Sequence, residues 1–169
     1  TRSVFFDGAL LTIGNRAAFL EPLEATALGF VQAELTAVAR WPLGAWRYLP
    51  PGEAERARGI ASLNRYLRRH VLKMALFVGW HYAHGSAFRT PFWEFARANY
   101  ERERERFVEP ELVAELDRFV ARAGQYASLK ECLAAGDEQP YARGGRGFAV
   151  WPLESFVEMG NGLAGEAQI

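Results

Sequence analysis

The sequence predicts a mainly α protein with a short β segment. Three observations carry this. Apolar residues recur at helical spacing in several long stretches. Prolines and glycines punctuate the ends of those stretches. One pair of short apolar runs near the N-terminus, Ser3 to Phe6 and Ala9 to Ile13, lacks the length of a helix and is broken by Asp7-Gly8.

Taken in order, Ser3 to Phe6 reads as extended and Ala9 to Ile13 as a buried strand. Gly14-Asn15 is a turn signal. Pro22 stands ahead of a helix beginning near Leu23 or Glu24, with Leu28, Val31, Leu35 and Val38 on its apolar face, and Trp41-Pro42 ends it. Leu43 to Gly52 is turn-rich. A long helix is expected from Glu53 to about His84, striped by Ile60, Leu63, Leu67, Val71, Met74 and Val78, and Gly85-Ser86 breaks it. Pro91 suits the first turn of a helix running to about Phe107. Pro110 opens another, with Leu112, Val113, Leu116, Phe119 and Val120 as its apolar face. Leu129 to Ala134 is a short helix, Gly136 to Gly147 a glycine-rich loop, and Pro152 to Met159 a last short helix ending at Gly160-Asn161-Gly162. A lone strand beside helices cannot satisfy its own edges. The expectation is therefore a sheet supplied from elsewhere, by a missing part of the chain or by a partner.

The bulk numbers narrow the function. The 169 residues suffice for one core or a piece of a larger one. Net charge is zero, so no basic surplus points to nucleic acid. The longest apolar stretch, Met74 to Trp80, is too short for a membrane span. One cysteine, Cys132, excludes an internal disulfide framework, and a reducing cytoplasm is the natural reading. Five Trp and twelve Phe suit either a large packed core or a pocket for a flat apolar ligand. The alternation from Glu101 to Arg106 reads as a solvated helix face with Glu/Arg pairs at i,i+3. His81 and His84 share one helix, yet no repeated Glu-x-x-His accompanies them, so no metal site is expected.

The most informative stretch runs from Leu10 to Leu28. A strand, a turn and a helix N-terminus leave free backbone N–H groups, an anion site to which Thr26 and Ala27 would contribute. Glu24, at the same place, is either a base or hydrogen-bond acceptor, or an acid that only complements the helix dipole.

Phe19-Leu20-Glu21-Pro22-Leu23-Glu24-Ala25-Thr26 resembles the GFLEPLEST motif of flavin-dependent tryptophan halogenases. Trp80-His81-Tyr82 followed by Thr90-Pro91-Phe92-Trp93 is similar to that family's HY…PFW signature, Asn64 fits its Asn on the preceding helix, and Phe156 to Gly162 resembles its GMG turn. The resemblance implies the C-terminal part of an FAD-dependent monooxygenase-like α+β fold. Residues 1–28 would end the FAD-binding region, and residues 29–169 would form a helical region with the substrate-side residues.

The chemistry it implies is halogenation. Reduced FAD and O2 turn bound chloride or bromide into hypohalous acid, which reaches a Lys and a Glu beside an electron-rich aromatic ring. Glu24 matches that Glu, and Thr26 and Ala27 match the halide-binding amides. Gly14, Asn15 and Leu28 match flavin contacts. His81, Tyr82, Phe92 and Trp93 match the substrate side, the last two as aromatics that sandwich the ring. Phe88 stands where tryptophan halogenases place an acidic residue that holds the substrate's amino-acid end. A Phe cannot pair with an ammonium group, so free tryptophan is not the expected substrate. No GxGxxG follows a strand, and neither Lys73 nor Lys130 matches the catalytic Lys. An N-terminal FAD-binding half and a flavin reductase are thus expected partners, and exposed apolar surface suggests a homo-oligomer. The other reading is a non-catalytic helical domain that binds an aromatic ligand or a protein partner.

Overall fold

The computed structural model describes residues 4–18, 26–40, 52–84, 88–136, 148 and 151–165. Its elements are a 3-10 turn (Gly14–Arg16) and helices α1 (Thr26–Val38), α2 (Glu53–His84), α3 (Pro91–Glu105), α4 (Pro110–Ala123), α5 (Leu129–Ala134) and α6 (Leu153–Gly165). The mainly α expectation holds. Two compact units divide within α2, one covering residues Thr1–Met74 and the other Ala75–Ile169.

In the first unit, the expected strand Ala9 to Ile13 is replaced by a tight turn with a single bridge, Phe6 to Leu11. The cause is local. The Asp7 carboxylate accepts the N–H groups of Ala9 and Leu10 at 2.8 and 2.7 Å, and Gly8 sits at φ 106°. These N–H groups also hold the Asp7 carboxyl below its ordinary pKa, Leu10 first and Ala9 second. The burial is not that of a core strand either: Thr12 is buried while Leu10 is 66% exposed.

The neighbouring extended residues find their edge in a side chain. Asn64 on α2 accepts the N–H groups of Phe5 and Phe6 at 2.6 and 2.9 Å and donates to the Phe6 carbonyl at 2.7 Å. One carboxamide thus does for this backbone what an adjacent strand would do. Around it, Phe5 meets Phe30 edge to face at 6.4 Å, and Phe30 stacks on His70 at 6.0 Å.

Helix α1 corrects a second expectation. Its buried face is Phe30, Glu34 and Val38, at i, i+4 and i+8, whereas Leu28 is 72% and Leu35 51% exposed. The expected start near Leu23 or Glu24 and the end at Trp41-Pro42 lie outside the described residues. Helix α2 follows its predicted stripe: Leu63, Leu67, Val71, Met74 and Val78 are all buried, and Ile60 is half-buried.

The second unit is built on rings. Phe77 stacks on Trp151 with centroids 3.6 Å apart and meets Phe156 edge to face at 5.2 Å. Phe119 joins Phe148 and Phe156. Helices α4 and α5 pack on α6, which buries Leu153, Phe156 and Val157. Ser128 caps α5 by accepting the Glu131 N–H at 3.2 Å. Pro91 and Pro110 occupy the first turns of α3 and α4 as expected.

One expectation fails here and another holds for all but one residue. Helix α6 does not stop at Gly160-Asn161-Gly162 but continues to Gly165. Glycine lowers helix propensity by about 1 kcal/mol without forbidding the conformation. The alternating acids and bases of α3 are not all a solvated face. Arg104 crosses to α4, where both its terminal nitrogens donate to Asp117 at 2.7 Å. That bidentate pair spans two helices rather than one turn.

Candidate functional site

The site residues named from the sequence fall into two sets, one in each unit. In the first unit, Gly14 and Asn15 lie in the 3-10 turn that packs on α1. Gly14 adopts φ 58°, a left-handed conformation, and a Cβ there would lie 3.4 Å from Val31 Cγ2. Its carbonyl accepts the N–H groups of Ala17 and Ala18 at 2.9 and 3.1 Å, which closes the turn. Asn15 is exposed, as is Leu28 on α1. Thr26 and Ala27 are backbone residues of α1. Glu24 lies outside the described residues.

Sequence reasoning missed the most buried acid among the described residues of this unit. Glu34 is 0% exposed, and its Oε2 accepts the Gly14 N–H at 3.0 Å. Its Oε1 is buried with no hydrogen-bond partner. Burial pushes the Glu34 carboxyl up to about 7, against the lowering effect of the Gly14 N–H. His70, stacked between Phe30 and Tyr66, is pushed down to about 4 by burial and by the positive charge of Lys73. A signal for Glu34 was present. It is the single charged residue of α1 and lies four residues from both Phe30 and Val38.

In the second unit, Tyr82, Phe92 and Trp93 gather into one aromatic group. Tyr82 lies 6.2 Å from each of the other two rings, and Phe92 meets Trp93 at 5.0 Å and 78°. The two rings of α3 therefore form a corner. A parallel slot, which a sandwich of one flat ring requires, is not what this pair makes. Phe92 is 56% exposed and Trp93 and Tyr82 are half-buried, so the corner is open to solvent on one side. A planar ligand could lie flat on one ring and meet the other edge-on. Phe88 is exposed, with its carbonyl held by Arg97 at 3.0 Å.

His81 and His84 do not face a common point through Nδ1. His84 donates Nδ1–H to the Trp80 carbonyl at 3.0 Å, and His81 Nδ1 lies 3.2 Å from Met159 Sδ. Among the described residues, no three His, Cys, Asp or Glu side chains converge as metal ligands. Among the same residues, no helix is long and apolar enough to cross a membrane.

The residues of the turn on α1 and of the aromatic corner are among those named from the halogenase motifs, although Phe92 and Trp93 make a corner where a sandwich was expected. The chain matches the tryptophan halogenase family model over residues 1–128, and it belongs to that family. The matched region spans the first unit, α3 and α4, whereas α5 and α6 lie beyond it. No curated protein and no solved structure matches the chain.

Proposed function

We propose that this chain forms the halide-side and substrate-side portion of a reduced-FAD-dependent halogenase that chlorinates or brominates an aromatic compound other than free tryptophan. The observation that carries the reading is the open corner of Tyr82, Phe92 and Trp93; four residues before Phe92 in sequence, an exposed Phe88 stands where the resemblance would place an ammonium-binding acid. Such a wall recognises a flat π surface, and the Phe88 side chain cannot pair with an ammonium group.

The residues toward FAD fit the group. Left-handed Gly14 keeps the turn close to α1, Asn15 offers an amide edge, and Leu28 offers an exposed apolar side chain. When bound in reduced form, FAD together with O2 supplies the oxidation of halide to hypohalous acid. Thr26 and Ala27 would hold the halide through backbone N–H groups, as an N-terminal helical turn can. Glu24 would orient the halogenating species and take the ring proton: the carbon–hydrogen bond breaks, a carbon–halogen bond forms, and the oxygen leaves as water. The catalytic Lys and the dinucleotide-binding residues would come from an N-terminal FAD-binding half, and a flavin reductase would supply reduced FAD. Under this reading residues 1–28 serve the flavin and residues 29–169 the substrate.

The test uses the full-length protein with FAD, a flavin reductase, NADH, bromide or chloride, and a panel of indoles, pyrroles and phenols. The expected result is a monohalogenated product by mass spectrometry, lost in Glu24→Gln while FAD binding persists. Tight calorimetric binding of tryptophan would sink the substrate assignment. A full-length protein that binds no FAD would sink the halogenase assignment and favour an aromatic-binding module.

A further inference from the structure

The most unusual polar group in the first unit is one that the halogenation reading does not use. A carboxylate that is fully removed from water loses several kcal/mol of hydration unless partners replace it. Glu34 recovers only one hydrogen bond, from the Gly14 N–H at 3.0 Å, while Oε1 stays buried without a partner. Its neighbours on the same helix face are Phe30 and Val38, so a leucine would pack there at less cost. Stability alone does not account for an acid at this position.

The single bond it makes is informative. The turn from Gly14 to Arg16 closes on itself through the Gly14 carbonyl, which accepts from Ala17 and Ala18. The Gly14 N–H is left over by that closure, and Glu34 takes it from twenty residues away. Gly14 approaches α1 so closely that a Cβ would touch Val31. The turn and α1 also flank, in sequence, the stretch that carries Glu24. One carboxylate therefore ties the two flanks of that stretch together.

We propose that Glu34 is a positioning residue: it fixes the Gly14–Arg16 turn against α1, and with it the edge that Gly14 and Asn15 offer to FAD. This rests on the halogenase reading above. Glu34 Oε2 accepts the Gly14 N–H at 3.0 Å, and an N–H held by one buried acceptor has one direction in which to point. A turn so held presents a fixed backbone to the flavin, and a released turn has to be ordered on binding.

The test compares Glu34→Leu and Glu34→Gln in the full-length protein, with three readouts. Leu keeps the volume and removes the acceptor, whereas Gln keeps an acceptor oxygen. Glu34→Leu should melt at the same temperature as the parent or higher, because an uncompensated buried acid is gone. Its Gly14 amide should exchange with deuterium at least about tenfold faster, and its FAD affinity should fall by about tenfold or more. Glu34→Gln should bind FAD within about twofold of the parent. A merely structural role predicts the opposite link, with FAD affinity following the melting temperature. Parental FAD affinity in Glu34→Leu overturns the proposal and leaves the halogenase reading standing. So does a tenfold loss of affinity in Glu34→Gln, which stays decisive if the Leu variant fails to fold. A parent protein that binds no FAD ends both.

Discussion

The two units hold themselves together by different means. The first sets a few polar contacts, each made by one side chain, around a core of Phe5, Phe30, Leu63, Leu67 and Val71. Asn64 pairs with the Phe5–Phe6 backbone, Asp7 with the Ala9 and Leu10 N–H groups, and Glu34 with Gly14. The second relies on a network of rings in which Phe77, Trp80, Trp151, Phe156, Phe119 and Phe148 each touch at least one other. A polar contact is directional, so it places one backbone segment, and its loss strands a donor or acceptor. Ring packing is spread over many contacts, so it supplies most of the burial energy and positions nothing singly. In this protein the first kind of contact lies beside the candidate flavin-side turn. The second kind underlies the aromatic corner.

The largest expected effect tests the ring network. Phe77→Ala should lower the stability of the second unit by about 3–5 kcal/mol, since Phe77 is fully buried and stacks on Trp151. Denaturant unfolding followed by amide exchange at the residues of the second unit reads this separately from the first. A loss below about 1 kcal/mol would mean that the rings repack freely.

A smaller effect is expected in the polar unit. Asn64→Ala should cost about 2 kcal/mol, because it leaves the Phe5 and Phe6 N–H groups without their acceptor. Amide exchange at these two residues should accelerate while the second unit's amides stay protected. Uniform acceleration across both units would erase the contrast between them.

In the parent protein the smallest effect concerns pH, because two opposed shifts cancel there. Folded Glu34 stays protonated up to about 7, whereas in the unfolded chain it ionises above its ordinary 4.5. Folded His70 stays neutral down to about 4, whereas unfolded it takes a proton below 6.5. Glu34 alone would give stability that is present below 4.5 and lost as pH rises through 7. His70 alone would give stability that is present above 6.5 and lost as pH falls through 4. Between 4.5 and 6.5 the folded pair is neutral and neutral where the unfolded pair is minus and plus. The proton count is equal, so the two slopes cancel. Glu34→Gln should remove the cancellation, and stability should then fall from pH 6.5 to 4 by about 1.4 kcal/mol per pH unit at most. Urea midpoints across that range check it, and a flat profile in the variant would show that His70 is not held neutral.

Much of the architecture was legible in the residues. The stripe from Leu63 to Val78 and the prolines at positions 91 and 110 mark α2, α3 and α4, because periodicity and proline act within a few residues of where they stand. The aromatic members of the candidate site were legible for the same reason, through short motifs. Three things were not. The run from Ala9 to Ile13 looked like a buried strand, but Asp7 and Gly8 fold it into a turn, and no ladder forms on it. The face of α1 was assigned to Leu28, Val31, Leu35 and Val38; Val38 is buried, yet the chain also buries Glu34 and exposes both leucines. The angle between Phe92 and Trp93 had no trace in their adjacency.

By itself, then, the sequence determined the helices, their order, the family and the identity of the aromatic side chains, since these depend on local spacing and on motifs that survive in linear form. Tertiary structure alone decided which face of α1 turns inward, that a side chain at position 64 serves as the edge for Phe5 and Phe6, and that a carboxylate twenty residues away holds Gly14. Those choices depend on the sum of burial and hydrogen bonding over residues far apart in the chain. No window along the sequence contains that sum.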